Sequence, residues 1–192
     1  DSVGINLISA ILKKEGHESR VCLVPDLIEN TTITMKALNT FKFAFHISDS
    51  AYIDYLLSFK PDVIGFSVVT AYWKRASSLA SLIKQKNPNV KTVAGGPHIT
   101  VSLFKEMFDQ SGFDYICKGD GEIAFPKLIS ALEKRDYEPC IPGIYYLRDG
   151  VMVGKGVGEV ENALDTLPFQ DKSDVFRDYP YLQRLYVVNS QR

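Results

Sequence analysis

Along the first fourteen residues the apolar positions fall at helical intervals. Val3, Leu7 and Ile11, then Ile8 and Leu12, share one face, and Gly16 follows where a left-handed cap belongs, so a helix is expected over Val3–Lys14. A short β-branched run, Ser19–Val24, is expected as a strand, stopped by Pro25 and Asp26. Leu27 to Ser50 has no clear period and reads as a loop with a short helix or an edge strand. The helical spacing of Ile53, Leu56 and Leu57 predicts a helix over Ser50–Phe59, ending before Pro61.

Asp62–Val69 is almost continuously apolar, as a central strand covered on both faces would be. After it the pattern alternates: a helix over Ala71–Lys86, a turn at Asn87-Pro88-Asn89, a strand over Val90–Ala94, a helix over Val101–Gln110, a strand over Phe113–Cys117 and a helix over Ile123–Lys134. Strands separated by helices of this length imply right-handed crossovers and a parallel sheet with helices on both faces. The expected fold is therefore a doubly wound, Rossmann-like α/β domain. Because a helix stands before any strand, the domain's first strand is expected to lie outside the chain.

Beyond Arg135 the pattern changes. Gly143–Leu147 and Val151–Lys155 flank Asp149-Gly150, a hairpin signal, and Asn162–Tyr181 then reads as a linker rather than a second core. Gln183–Asn189 is expected as one more strand, with the chain cut after it. The division expected is a domain over 1–135 and a hairpin with linker over 136–192.

Composition narrows the function classes. With 45% hydrophobic and 23% charged residues, a net charge of −1 and no apolar run near the roughly 20 residues of a membrane span, the chain reads as a soluble, cytoplasmic protein with neither a membrane nor a nucleic-acid partner. Cys22, Cys117 and Cys140 are far apart and odd in number, and His17, His46 and His98 are equally scattered, so neither a disulfide framework nor a local metal motif is visible.

In an open parallel sheet ligands bind beyond the carboxyl ends of the strands. The loops expected there are Ser67-Val68-Val69-Thr70, Gly95-Gly96-Pro97-His98-Ile99-Thr100 and Gly119-Asp120-Gly121-Glu122, with Gly4 at the start of the first helix. They bring glycines and small hydroxyls to one edge, suited to presenting backbone amides and hydroxyl donors to a ligand. Neither a dinucleotide GxGxxG, a phosphate-loop lysine motif nor a nucleophile elbow occurs there. A receiver-like phosphorylation domain needs an aspartate where Ser67-Val68-Val69 stands. His98 is read as a hydrogen-bonded structural residue before a catalyst, and Glu122 as a residue of the next helix's first turn before half of a carboxylate pair with Asp120.

Gly4 before a helix, PDVIGFSVVT at Pro61–Thr70, AGGPHIT at Ala94–Thr100 and CKGDGEIAF at Cys117–Phe125 together resemble the cobalamin-binding domain of the cobalamin-dependent radical S-adenosylmethionine enzymes. The similarity covers about the first 135 residues, through a GGPH-like turn and a G-E-G-E-like turn in which Asp120 replaces the usual Glu. Leu164–Phe169, LDTLPF, looks like the family's linker, and Val187–Arg192, VVNSQR, like the segment leading into the CxxxCxxC cluster loop.

The resemblance implies a corrin lying on the carboxyl edge, held by Gly4, Ser67, Val68, Val69, Thr70, Gly95, Gly96, Pro97, His98, Thr100, Gly119, Asp120, Gly121 and Glu122. Gly95 and Gly96 would allow the nucleotide tail to pass. In the related D-x-H-x-x-G loop the glycine would be Gly4, so the cobalt-ligating histidine position falls on Asp1, which implies a cofactor bound base-off and histidine-off. The implied role is a cobalamin-binding module, not catalytic by itself, that presents its cofactor to a radical S-adenosylmethionine barrel carrying a [4Fe-4S] cluster, in a methyltransferase or oxidative cyclase. The rival is a scaffold domain of such an enzyme that binds no cobalamin.

Overall fold

The structure, a computed structural model, describes residues 3–23, 48–102, 106–109, 111–162 and 164–178. Among them the elements run α1 (Val3–Lys14), α2 (Asp49–Ser58), β1 (Val63–Ser67), α3 (Trp73–Lys86), β2 (Lys91–Gly95), α4 (Pro97–Val101), α5 (Glu106–Asp109), β3 (Tyr115–Cys117), α6 (Gly121–Glu133), β4 (Ile144–Arg148), β5 (Val151–Gly154) and α7 (Ser173–Asp178). Short 3-10 turns at Thr70–Tyr72 and Leu164–Thr166 complete the set.

The strands form one sheet in the order β1-β2-β3-β4-β5. β1, β2 and β3 are parallel, while β4 and β5 are antiparallel additions. Strand alternation sends Val93, Tyr115, Cys117, Ile144 and Tyr146 to one face, under Ala124 and Leu128 of α6. Ala94 and Ile116 go to the other, under Ala76 and Ala80 of α3 and Ile99 of α4. Helices therefore cover both faces, as the α/β reading required. α2 adds Tyr52 and Ile53 to Leu79, Ile83 and Val90.

The structure departs from the sequence expectations at several places. Residues 19–23 form no strand, because their backbone is committed elsewhere: the Val21 amide donates to Asp174 Oδ2 at 3.1 Å. β1 is an edge of the sheet among the described residues, with Gly65 and Ser67 exposed, rather than a strand covered on both sides. The helix expected over Val101–Gln110 begins earlier, at Pro97, and breaks at Ser102. Proline at the first helical position loses only an amide that has no partner there, so the turn itself starts the helix. The hairpin belongs to the same sheet: β4 pairs with β3, and β5 forms the far edge.

The expected linker is also bound down. Lys13 Nζ reaches Asp171 at 2.7 Å and Asp174 at 3.0 Å, and Arg20 reaches Asp178 at 3.2 Å. Asp174 and Val175 are buried, so residues 159–162 and 164–178 form a strap across α6 and α1. The strand expected over Gln183–Asn189, and nearly all of the loop expected from Leu27, lie outside the described residues.

Candidate functional site

The three expected loops do meet at one edge. β1 ends in Ser67, β2 in Gly95 and β3 in Cys117, and parallel pairing puts all three carboxyl ends on the same side. Backbone bonds lock the first two loops together: the Val68 amide donates to the Gly95 carbonyl at 2.8 Å, and the His98 amide donates to the Val68 carbonyl at 3.1 Å. The third loop joins through the Gly119 amide, which donates to Thr100 Oγ1 at 3.3 Å.

The two glycines of the opening turn have different jobs. Gly96 has φ +98°, and a Cβ there would lie 2.7 Å from the Val68 nitrogen and 2.9 Å from its oxygen. Its lack of a side chain serves the protein's own loop packing. Gly95 has no such constraint, since an added Cβ would make only ordinary contact, 3.5 Å from the Cys117 carbonyl oxygen. Of the pair, only Gly95 keeps its space free of a structural demand.

His98 is occupied structurally. Its Nδ1 lies 3.2 Å from Thr70 Oγ1, and its ring packs on Trp73 with centroids 5.1 Å apart. Trp73 in turn packs on Phe113 at 5.7 Å, which ties the edge to the core beneath α3. Pro97 opens α4 beside it and is exposed.

Ser67, Val69, Thr70, Thr100 and Asp120 are exposed along the edge, whereas Val68 is buried at 2%. Val68 therefore contributes its backbone alone. Asp120 stands at the N-cap of α6 without a side-chain capping bond. Glu122 sits in the first turn of α6, and its Oε2 is buried with no hydrogen-bond partner among the described residues. Its carboxylate and Asp120 form no bonded pair in the structure. Gly121 faces α1: a Cβ there would lie 2.8 Å from Ile8 Cδ1. α1 runs parallel to α6, with Ile8 at Gly121 and His17 3.2 Å from Glu133. Gly4, one turn before Ile8, consequently stands at the same end of the molecule, with nothing within 4 Å of its absent Cβ.

Sequence reasoning missed a further loop. The Lys118 amide donates to the Gly143 carbonyl at 2.7 Å, and the Lys118 carbonyl accepts from the Gly158 amide at 2.7 Å. A Cβ on Gly158 would lie 2.5 Å from the Asp120 oxygen, and one on Gly143 2.4 Å from the Gly158 nitrogen. The alternating Gly154, Gly156 and Gly158 directly after a hairpin were the available signal.

No thiolate is offered at this edge. Burial, with the Glu122 charge adding, pushes the Cys117 thiol up to about 12. A cleft of about 630 Å³ opens elsewhere, between α1, α6 and residues 139–141; of the candidate residues only Glu122 reaches it. The strand-end loops instead bring exposed hydroxyls and backbone groups together at the carboxyl edge of the sheet.

A family model described as B12 binding domain matches residues 1–129. The chain is 30% identical over 110 residues to the cobalamin-dependent radical SAM methyltransferase TokK of Streptomyces tokunonensis, covering 56% of this chain and 16% of that protein. It is 27% identical over 111 residues to the anaerobic magnesium-protoporphyrin IX monomethyl ester cyclase of Rubrivivax gelatinosus, covering 56% of this chain and 20% of that protein. The chain thus matches a fifth or less of either relative's length. In fold it is similar to the cobalamin-dependent S-adenosylmethionine radical enzyme OxsB with aqua-cobalamin bound, at a TM-score of 0.68 and 21% identity, over 95% of this chain and 23% of that one. With two thirds of its length matched by that model, the chain belongs to the B12-binding domain family.

Proposed function

We propose that this chain is the cobalamin-binding module of a radical S-adenosylmethionine enzyme of the methyltransferase or oxidative cyclase type, binding its cofactor base-off and histidine-off. The observation that carries the reading is the strand-end edge itself. Gly95 carries no side chain although a Cβ there would meet only ordinary contacts, Val69 offers an exposed apolar side chain, and Ser67 and Thr70 offer exposed hydroxyls around it. A corrin is a flat apolar ring fringed with amides, and such a set suits both parts.

In this reading Gly4 and Gly95 leave room for the ring and tail, while Gly121 lets α6 pack closely on Ile8 of α1. The hydroxyls of Ser67 and Thr70 and the backbone of residues 119–121 hold the amide fringe, while Thr100 Oγ1, which donates to the Gly96 carbonyl at 3.3 Å and accepts from the Gly119 amide, ties the second and third loops together. Gly96, Pro97 and His98 keep the second loop in shape, as the Val68 backbone does for the first. Bound cobalamin supplies organometallic methyl-transfer or electron-transfer chemistry. The residues of this chain bind and orient it. Asp1 at the family's histidine position, and the engagement of His98 Nδ1 with Thr70, support a site without a nitrogen ligand to cobalt. The partner is a barrel carrying a [4Fe-4S] cluster and S-adenosylmethionine, and the free cysteines suit a reducing, cytoplasmic setting.

The test is to load the chain with cob(II)alamin and record its electron paramagnetic resonance spectrum. Cobalt lines without nitrogen superhyperfine splitting are expected. A three-line nitrogen pattern from a protein histidine would contradict the histidine-off assignment, and absence of any bound signal would favour the scaffold reading.

A further inference from the structure

We infer that Gly156-Val157-Gly158, the segment leaving the hairpin, is a fourth wall of the corrinoid site, and that Val157 meets the ligand. This rests on the corrinoid reading above, and it concerns residues beyond the stretch 1–129 that the family model matches.

Topology brings the segment to the edge. Ile144 pairs with Cys117 at the end of β3, and Gly154 pairs with Tyr145, so β5 finishes where β1, β2 and β3 finish. The chain is then held against the third loop. Tyr145 Oη donates to the Gly156 carbonyl at 2.7 Å, and the Gly158 amide donates to the Lys118 carbonyl at 2.7 Å.

Three of the glycines around Val157 answer to the protein's own contacts. A Cβ on Gly154 would fall 2.2 Å from Tyr145 Cδ1, one on Gly158 2.5 Å from the Asp120 oxygen, and one on Gly119 3.0 Å from the Gly158 nitrogen. Those close approaches leave one side chain between Gly156 and Gly158, that of Val157. Its Cβ lies 3.3 Å from the point where a Gly119 side chain would begin, and the residue is 53% exposed. Singly exposed valines are ordinary on a protein surface. Here, however, Val69 is 44% exposed on the first loop and Val101 77% exposed at the end of α4. Val157 completes an apolar rim around the hydroxyls of the same edge, the arrangement a ring with apolar faces and a polar fringe requires.

The experiment compares Val157→Asp with Val151→Asp in the 192-residue protein, by equilibrium dialysis against hydroxocobalamin and by thermal unfolding without ligand. Val151 is 63% exposed at the hairpin tip, away from the strand-end loops. A charge on the ligand-facing wall should raise the Kd about tenfold or more, a change of about 1.4 kcal/mol, while Val151→Asp leaves it alone and neither variant moves the Tm. Val157→Leu should bind as the parent does. Should Val157→Asp unfold, Val157→Thr carries the same comparison with a hydroxyl in place of one methyl. Unchanged affinity in Val157→Asp, or equal weakening in Val151→Asp, overturns the assignment. An unmodified protein that takes up no hydroxocobalamin sinks the corrinoid reading itself, and this inference with it.

Discussion

Gly96 and Val68 approach so closely that a Cβ on Gly96 would lie 2.7 Å from the Val68 nitrogen. The contact joins the first and second loops, and it separates two neighbouring glycines by function. Gly96→Ala would combine a left-handed backbone with a backbone clash and should cost roughly 2–4 kcal/mol of unfolding free energy. Gly95→Ala, which meets only ordinary contacts, should cost about 1 kcal/mol or less. Urea denaturation of the two variants checks this, and equal losses would show that both glycines serve the loop packing alone.

The strap depends on Asp174. Its carboxylate is 6% exposed and accepts from Lys13 at 3.0 Å, Arg177 at 2.9 Å and the Val21 amide at 3.1 Å. Asp174→Ala leaves the Val21 amide without its acceptor and should destabilise by roughly 2–3 kcal/mol. Limited proteolysis should then cut within residues 159–172, while the unmodified protein resists there. Unchanged stability and cleavage would mean that the strap lies on the surface without holding it.

Its pH dependence follows from the same pairs. Hydrogen bonds from Lys13 and Ser173 hold the Asp171 carboxyl down to about 2. A depressed carboxylate contributes stability above its unfolded pKa of about 3.9 and loses it as pH falls through the folded value. Burial pulls the Lys13 ammonium down, but Asp171 and Asp174 outweigh it and the net direction is up from 10.5. A raised lysine contributes fully below its unfolded pKa and loses that contribution as pH rises through the folded one. Unfolding free energy should therefore be flat between about pH 5 and 9 as far as these groups go, and fall below pH 4. Asp171→Asn should flatten part of the acid limb, and an unaltered limb would remove Asp171 from it.

Thiol chemistry gives an independent check of the core. Cys140 is exposed and Cys117 is buried, with its thiol pushed up to about 12 by burial and then by Glu122. Burial also raises the half-buried Cys22. A disulfide reagent at pH 8 should modify Cys140 promptly and Cys117 only on unfolding, as mapped by mass spectrometry. Equal labelling of Cys117 would contradict the packing of β3 against α6.

Much of the fold was legible because the informative signals were local. The apolar runs at β1, β2 and β3 and the helical spacing around Leu79 and Ile83 each report on a few turns of chain. Asp149-Gly150 named a hairpin, and both residues take the positive φ, 50° and 73°, that such a turn requires. Residues 19–23 misled because β-branched content says nothing of a buried aspartate more than 150 positions away. The strap was illegible for the same reason, its anchors being pairs such as Lys13 with Asp171 and Arg20 with Asp178, which leave no period. At the candidate site, the meeting of the loops at one edge was legible because parallel pairing puts the carboxyl ends of β1, β2 and β3 on the same side. The distinct duties of Gly95 and Gly96, and the interlock of Gly119, Gly143 and Gly158, needed coordinates.

The most direct measurement is a titration of the 192-residue chain and its Gly95→Ala variant with hydroxocobalamin, followed in the visible spectrum and by equilibrium dialysis. The account predicts that the parent takes up one equivalent with a base-off spectrum, and that Gly95→Ala, folded to the same extent, binds about tenfold or more weakly because the methyl occupies the ligand's space. A parent that leaves the cofactor in the dialysate at high micromolar concentration, or a variant that binds as tightly, would contradict it.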